Sequence, residues 1–363
     1  PGPSGSSTSS PAATSGGAGL AGVAGTGSAG GSAGSGGGGS ESGAGNTGGS
    51  AGSGGSSPEL PEIEACNFPH SRAVVAGNPA ELALALAGAT PGTLIRLADG
   101  SYDAAWSAKT SGTAEAPIVL CGTRDAVLEA TPDRPVFSLQ ASYWILSGFT
   151  LTGGQKGLLL DGAGHNLLTG LSVHDIGHEA VHLRTHSSDN VLERCEIYET
   201  GQANAGFGEG VYIGSAQNNW ASISAGGPDR SDRNVIEANL IGPNVRAESI
   251  DIKEGTSAGI VRGNTLDGAG MSGAGYADSW LDVKGNGYLI EDNQARNALL
   301  DGFQIHVEVD GWGNDNVFYR NALEVNGPGY GFQVFGGASG TIIGCDNQVS
   351  GADEGFANVD CEP

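Results

Sequence analysis

NVIEANLIGPNVRAESIDIKEGTSAGIVRGNTL, residues 234–266, carries a full period of the repeat that decides the fold. Its opening segment, NVIEANLI (234–241), returns as GIVRGNTL (259–266), YLIEDNQA (288–295) and NVFYRNAL (316–323), and is anticipated by NVLERCEI (190–197). Each begins with a pair of apolar residues expected to face inward. A second segment, ESIDIKE (248–254), belongs with EAVHLRT (179–185), EGVYIGS (209–215), SWLDVKG (279–285), DGFQIHV (301–307) and YGFQVFG (330–336). In this series single apolar residues alternate with polar ones, the period of two that marks a half-buried strand. Recurrence at intervals of about 22 to 29 residues, longer where the segment at about 217–232 extends its coil, marks a solenoid. Short strands separated by Gly and Asn turns therefore imply an all-β protein, a right-handed parallel β-helix.

Asn239, Asn264, Asn293 and Asn321 fall at one position of successive coils, where stacked amides can bond along the solenoid. Cys195 occupies the same column one coil earlier, as expected of a structural thiol. The start of the repeat reads as a cap. NPAELALALAGA (78–89) has helical spacing, with Asn78 and Pro79 as N-cap and first-turn residues. A short helix there would cover the open end of the coil stack. Residues 1–57, almost wholly Gly, Ser, Ala and Thr, have no spacing from which to build a core and are expected to be a disordered tether. Residues 58–363 are expected to form a single β-helix domain.

With 40 acidic and 16 basic residues the net charge is −24, which argues against sequence-blind binding of nucleic acid. An acidic substrate is still compatible, because a local basic strip can bind a polyanion on an acidic surface. Five cysteines and the Ser/Gly-rich leader suggest an oxidising compartment. Bridges are expected between Cys66 and Cys121 and between Cys345 and Cys361, leaving Cys195 free. No apolar run is long enough to span a membrane. The protein is thus expected to be secreted or tethered at the cell surface, and monomeric.

In the alternating strands, the polar residues must point outward. Three outward columns follow. The first is His182, Tyr212, Asp251, Asp282, Gln304 and Gln333; the second Arg184, Gly214, Lys253, Lys284, His306 and Phe335; the third, just before each strand, Glu179, Glu209, Glu248, Ser279, Asp301 and Tyr330. Asp251 with Lys253 and Asp282 with Lys284 form a grid of opposite charges on adjacent coils. A lattice of salt bridges would suffice to explain that grid, but the imidazoles of His182 and His306 on the same face go beyond what solvation requires. The long segment at about 217–232 is placed to wall the groove, with Trp220 and Trp312 in loops beside it.

The order capping helix, PGTLIRLADGSYD (91–103), SGTAEAPIVLCG (111–122) resembles the N-terminal region of β-helical polysaccharide lyases, especially the alginate lyase and chondroitinase B family, and the likeness runs through most of residues 62–350. The resemblance implies a pectate-lyase-like solenoid that cleaves an anionic, uronate-containing extracellular polysaccharide by β-elimination. It also implies a metal ligand five residues before a catalytic lysine, a spacing matched by Glu248 and Lys253. Lys253 would then remove the proton at sugar C5, and Glu248, with Glu209 in the same column, would bind Ca2+ or orient the base. Lys284 stands where the family has an arginine acid, and Arg246 where it has a second acidic ligand. Lys284 or His306 would assist the leaving oxygen, with Arg184, Arg246 or calcium neutralising the uronate. His182, Tyr212, Gln304, Gln333 and Trp312 complete the expected sugar-binding set. Two other classes fit the residues. One is a hydrolase using Asp251 and Asp282 on neighbouring coils; the other is a polysaccharide-binding surface protein without catalysis.

Overall fold

Three parallel sheets run through the described residues, and each coil contributes one strand to each. The computed structural model describes residues 64–363, so the expected tether at 1–57 lies outside the described residues. The sheets have eleven, ten and ten strands, all pairing between one coil and the next. The solenoid is a parallel β-helix, as the repeat implies.

The register follows the sequence columns. Val181, Val211, Ile250, Leu281, Phe303 and Phe332 are cross-strand partners and buried, as are most of their i+2 neighbours, Leu183, Ile213, Ile252, Val283 and Ile305. Burial of each such side chain contributes about 1.5–3 kcal/mol before entropy is counted. One expectation changes. In the paired apolar residues that open the other series, only the second is fully inward: Leu192, Ile236, Val261, Ile290 and Phe318 are buried, while Val191, Val235, Ile260, Leu289 and Val317 are half-buried. Consecutive residues of a strand point to opposite faces, so both members cannot reach the core.

The asparagine column forms a hydrogen-bonded ladder. Asn239 Nδ2 donates to Asn264 Oδ1, Asn264 to Asn293, Asn293 to Asn321 and Asn321 to Asn347, at 2.9–3.0 Å. Cys195 heads the same ladder, its backbone N–H donating to Asn239 Oδ1 at 2.9 Å. Burial pushes its thiol up to about 12, as expected of an inert structural cysteine. A second ladder, Asn166 to Asn190 to Asn234, lies at another turn. Each such bond contributes on the order of 1 kcal/mol and pins the register of adjacent coils.

The N-terminal end is capped, and a disulfide staples each end. The helix α1 (Pro79–Ala87) caps the N-terminal coil, with Asn78 Oδ1 accepting from Glu81 N–H at 3.0 Å and Leu82, Ala85 and Leu86 turned into the core. Disulfides join Cys66 to Cys121 and Cys345 to Cys361, and Cys195 is free and buried.

Candidate active site

The ten-stranded sheet that contains Val211–Ile213, Ile250–Ile252 and Leu281–Val283 forms the floor of a cleft of about 860 Å³. The insertion after Ile213 supplies one wall, through Ala216, Asn218, Asn219 and Ile223. Asp229 fastens this wall. Its buried carboxylate accepts from the backbone N–H groups of Thr185 and His186, at 3.0 and 2.8 Å, and from the hydroxyls of Ser215 and Ser231. Trp220 is part of the wall's own core, its indole donating to Ser215 O at 2.8 Å. The opposite wall consists of the turns Ala205–Phe207 and Ala274–Tyr276.

His182, Tyr212, Asp251, Asp282, Gln304 and Gln333 are consecutive partners across the floor. All but Gln333 line the cleft, as do Arg184, Lys253, Lys284 and His306 from the second column and Glu209 and Glu248 from the third. Arg246, Trp312 and Gln333 do not line it. Arg246 lies behind the wall, packed so closely on Gly201 and Gly208 that a Cβ at either would meet its own Cβ at 2.8 and 3.0 Å. Trp312 instead carries the Arg230 guanidinium over its ring, 5.6 Å from the centroid.

The centre of the floor is an ionic lattice. Lys284 is only 7% exposed, and its Nζ lies 2.9 Å from both Asp251 Oδ1 and Asp282 Oδ2. Burial alone would lower its pKa, but Asp251, Asp282 and Glu248 more than offset this and raise it well above the usual lysine range. Asp282 shows the converse. Burial opposes its ionisation, yet Lys284 and His306 hold the carboxyl well below the ordinary range. A carboxylate so held cannot donate a proton at neutral pH, so Asp282 is unsuited to be the general acid of a hydrolysis.

Lys253 lies nearer the opening. Its Nζ is 2.5 Å from Asp251 Oδ2 and 4.9 Å from the centre of the Tyr212 ring. Burial, reinforced by Asp251 and Glu209, raises the Tyr212 phenol well above 10, so it is protonated at neutral pH. His182 meets Tyr212 edge to face at 4.7 Å and donates from Nε2 to Gly214 O at 3.0 Å. Gly214 is required there: its φ is +86°, and a Cβ would meet Thr256 Cγ2 at 2.5 Å. Arg184 is paired with Asp161 at 3.2 Å, and His306 Nε2 bonds Gln304 Oε1 at 2.9 Å.

Beside this lattice, Glu209, Glu248 and Asp251 each bring a carboxylate oxygen within 4.8 Å of the others, all buried. Glu209 Oε2 has no hydrogen-bond partner among the described residues. Burial, with Asp251 and Glu179 adding to it, pushes Glu209 up to about 8; burial, with Asp251 and Asp282, also raises Glu248 well above the carboxylate range. The four carboxylates of Glu209, Glu248, Asp251 and Asp282 face only two ammonium groups, Lys253 and Lys284. A divalent cation would take the place of the protons that burial leaves on Glu209 and Glu248 and balance the two charges so released, and hard oxygen donors suit Ca2+ or Mg2+.

Several cleft residues escaped the sequence reading. Lys156 pairs with Glu179 in the floor, and the turns bearing Phe207 and Tyr276 form a wall. Lys156 precedes the strands from which the columns were read, and the two turns have no repeat to align them.

Neither a protein-family model nor a curated protein matches the sequence. Solved structures do. An alginate lyase from Paenibacillus sp. str. FPU-7 superposes with a TM-score of 0.75 at 37% identity, covering 79% of this chain and 99% of that one. The chain belongs to the β-helical polysaccharide lyases. The pectate lyase Pel9A (TM-score 0.54, 14% identity, 78% of this chain and 79% of that one) and a rhamnogalacturonan lyase (0.53, 14%, 76% and 81%) share the fold. The protein is therefore an enzyme, a polysaccharide lyase, and not a binding protein without catalysis.

Proposed function

We propose that this lyase acts outside the cell, as a monomer, on a uronate-containing polysaccharide, with alginate its first candidate substrate. One observation carries the reading: Lys253 and the protonated Tyr212 lie together in the cleft, beside a buried acidic cluster, on the fold of a 37%-identical alginate lyase. The cleft is itself acidic, with eight carboxylates to four lysine and arginine side chains, so a polyanion would be met there by Lys253 and Arg184 together with a bound divalent cation. No helix among the described residues is long and apolar enough to cross a membrane, and two disulfides suit an oxidising compartment.

In the proposed reaction, Lys253 as free amine takes the proton from sugar C5. The electron pair forms the C4–C5 double bond as the C4–O bond breaks, and Tyr212 donates its proton to the departing oxygen. The ammonium of Lys253 then returns its proton to the phenolate. Lys284, committed to two aspartates, is assigned to hold the floor, and His306 and Gln304 to orient the sugar. Glu209, Glu248 and Asp251 would hold a divalent cation, which would supply positive charge to the uronate carboxylate and so acidify C5. Arg246 and Trp312 are left out of the mechanism.

The test is ultraviolet absorbance of unsaturated uronate after incubation with alginate, pectate, chondroitin and glucuronan, with and without Ca2+. Alginate is expected to give a rising signal. New reducing ends without that absorbance would overturn the reading, because only elimination creates the double bond.

The cation assignment predicts a stability effect. In metal-free protein Glu209 has a folded value near 8 against 4.5 for the free group. A raised carboxyl stabilises fully below 4.5, and that stability is lost as pH rises through about 8. Calcium should therefore raise the Tm more at pH 8 than at pH 5, by about 5–10 °C at concentrations near a hundred times Kd. Glu209→Gln should abolish that difference in differential scanning calorimetry; an unchanged calcium response would remove Glu209 from the cation site.

A further inference from the structure

Among the described residues, the large aromatic side chains more than a third exposed are Phe207 at 53%, Tyr276 at 90% and Phe335 at 38%, and all three line the cleft. Burial normally claims such rings, so their gathering at one cleft marks a surface shaped for a partner. Phe207 and Tyr276 share a construction. The turn Ala205–Phe207 precedes the Tyr212 strand and the turn Ala274–Tyr276 precedes the Asp282 strand, so the Asp251 coil lies between them. The two turns nonetheless meet across it. A Cβ at Gly275 would lie 3.2 Å from Gly206 O, so these glycines permit the close approach that makes an arch.

The arch is tied down at both feet. Asn204 Oδ1 accepts from Gly206 N–H at 3.1 Å, and Ser272 donates its N–H and its hydroxyl to Arg246 O at 2.9 and 2.8 Å. Phe207 leans on His178, with ring centroids 5.5 Å apart. Tyr276, by contrast, stands out from the arch at φ +69°, a conformation that bulky side chains rarely adopt. Its hydroxyl has no protein partner among the hydrogen bonds of the described residues. Backbone strain spent on presenting an uncovered ring points toward a binding role.

We propose that Phe207 and Tyr276 form a sugar-stacking subsite, holding a pyranose ring of the bound glycan against the wall opposite the insertion. The chemistry of the cleft selects this occupant. An apolar peptide or acyl chain would match the aromatic wall but would strip water from the ionic floor of Asp251, Lys253 and Asp282. A pyranose presents an apolar C–H face to the rings while its hydroxyls and carboxylate meet the floor. The proposal rests on the reading of the cleft as a glycan site and adds a residue set that fixes affinity without taking part in proton transfer.

The test compares wild type with Tyr276→Ala, Phe207→Ala and Tyr276→Phe, by calorimetric titration and steady-state kinetics, on whichever of sodium alginate, sodium pectate and chondroitin sulfate wild type binds. Loss of one stacked ring should raise Kd and KM about tenfold. It should leave kcat within about twofold, and Tyr276→Phe should behave as wild type. Thermal melts should be unchanged, since neither ring is buried. Unaltered Kd in both alanine variants, or a Tyr276→Phe variant as weak as Tyr276→Ala, overturns the stacking subsite. Failure of wild type to bind any of the three glycans overturns it together with the uronate reading. Binding without unsaturated product overturns the uronate-lyase reading alone, and the alanine variants still decide the subsite.

Discussion

Lys253→Ala is expected to reduce turnover about 10²–10⁴-fold, the range a positioned general base supplies, with the fold unchanged. The separation of chemistry from stability follows from the lattice. Lys253 sits at the edge of the ionic floor, and when it is removed Asp251 still has Lys284 at 2.9 Å. The buried carboxylate is therefore not orphaned. Measurement of initial rates by unsaturated-product absorbance, beside a thermal melt, checks both halves. Full activity in the variant would remove Lys253 from the mechanism. A collapsed melt would show that its partnership with Asp251 is structural.

Lys284→Met should have the opposite profile, a protein weakened before it is slowed. The methionine has similar volume but leaves Asp251 and Asp282 facing each other on adjacent strands without the ammonium that bridges them. Breaking a buried pair from one side costs about 3–5 kcal/mol. For a chain of this size that is on the order of a 10 °C fall in Tm. The pH dependence has a definite sign. Asp282 is depressed in the folded state, so its contribution is present above the ordinary carboxyl value of 3.8 and is lost as pH falls toward the folded value. Lys284 is raised, so its contribution is present below 10.5 and is lost as pH rises through its folded value. Wild type should hold a plateau between these limits. In the variant acid unfolding should begin at higher pH, and Lys284→Met combined with Asp282→Asn should recover part of the loss. Circular dichroism melts across pH would show it; a variant as stable as wild type would mean that water replaces the ammonium.

These contrasting roles for two lysines in equivalent positions show where sequence reasoning stops. The alternation in AESIDIK and SWLDVKG correctly put Asp251, Lys253, Asp282 and Lys284 on one face, because side-chain direction in a strand depends only on parity. It could not tell that Lys284 reaches back to the preceding coil's aspartate while Lys253 lies nearer the cleft. That choice is made by three-dimensional packing. The asparagine column was legible because a repeat constrains it directly, and the two disulfides because their cysteines lie toward the two ends of the domain, away from Cys195 in the repeat. Arg246 and Trp312 were misplaced because each belongs to a turn whose path no period dictates. The Gly206–Gly275 contact was invisible for a stronger reason: it joins coils that are not neighbours, and no nearest-coil rule addresses it.

The asparagine ladders also bear on how such a protein changes over time. Each rung asks only for an amide above and an amide below, so one coil is nearly interchangeable with another wherever the cleft does not draw on it. Lys253, Tyr212 and the acidic cluster come from two consecutive coils of a much longer stack. Duplication or loss of a whole coil outside that group would preserve every rung and every catalytic distance, whereas a single inserted residue within a rung would break both. Whole coils are thus the natural unit of variation, and the length of the solenoid can drift while its chemistry stays where it is.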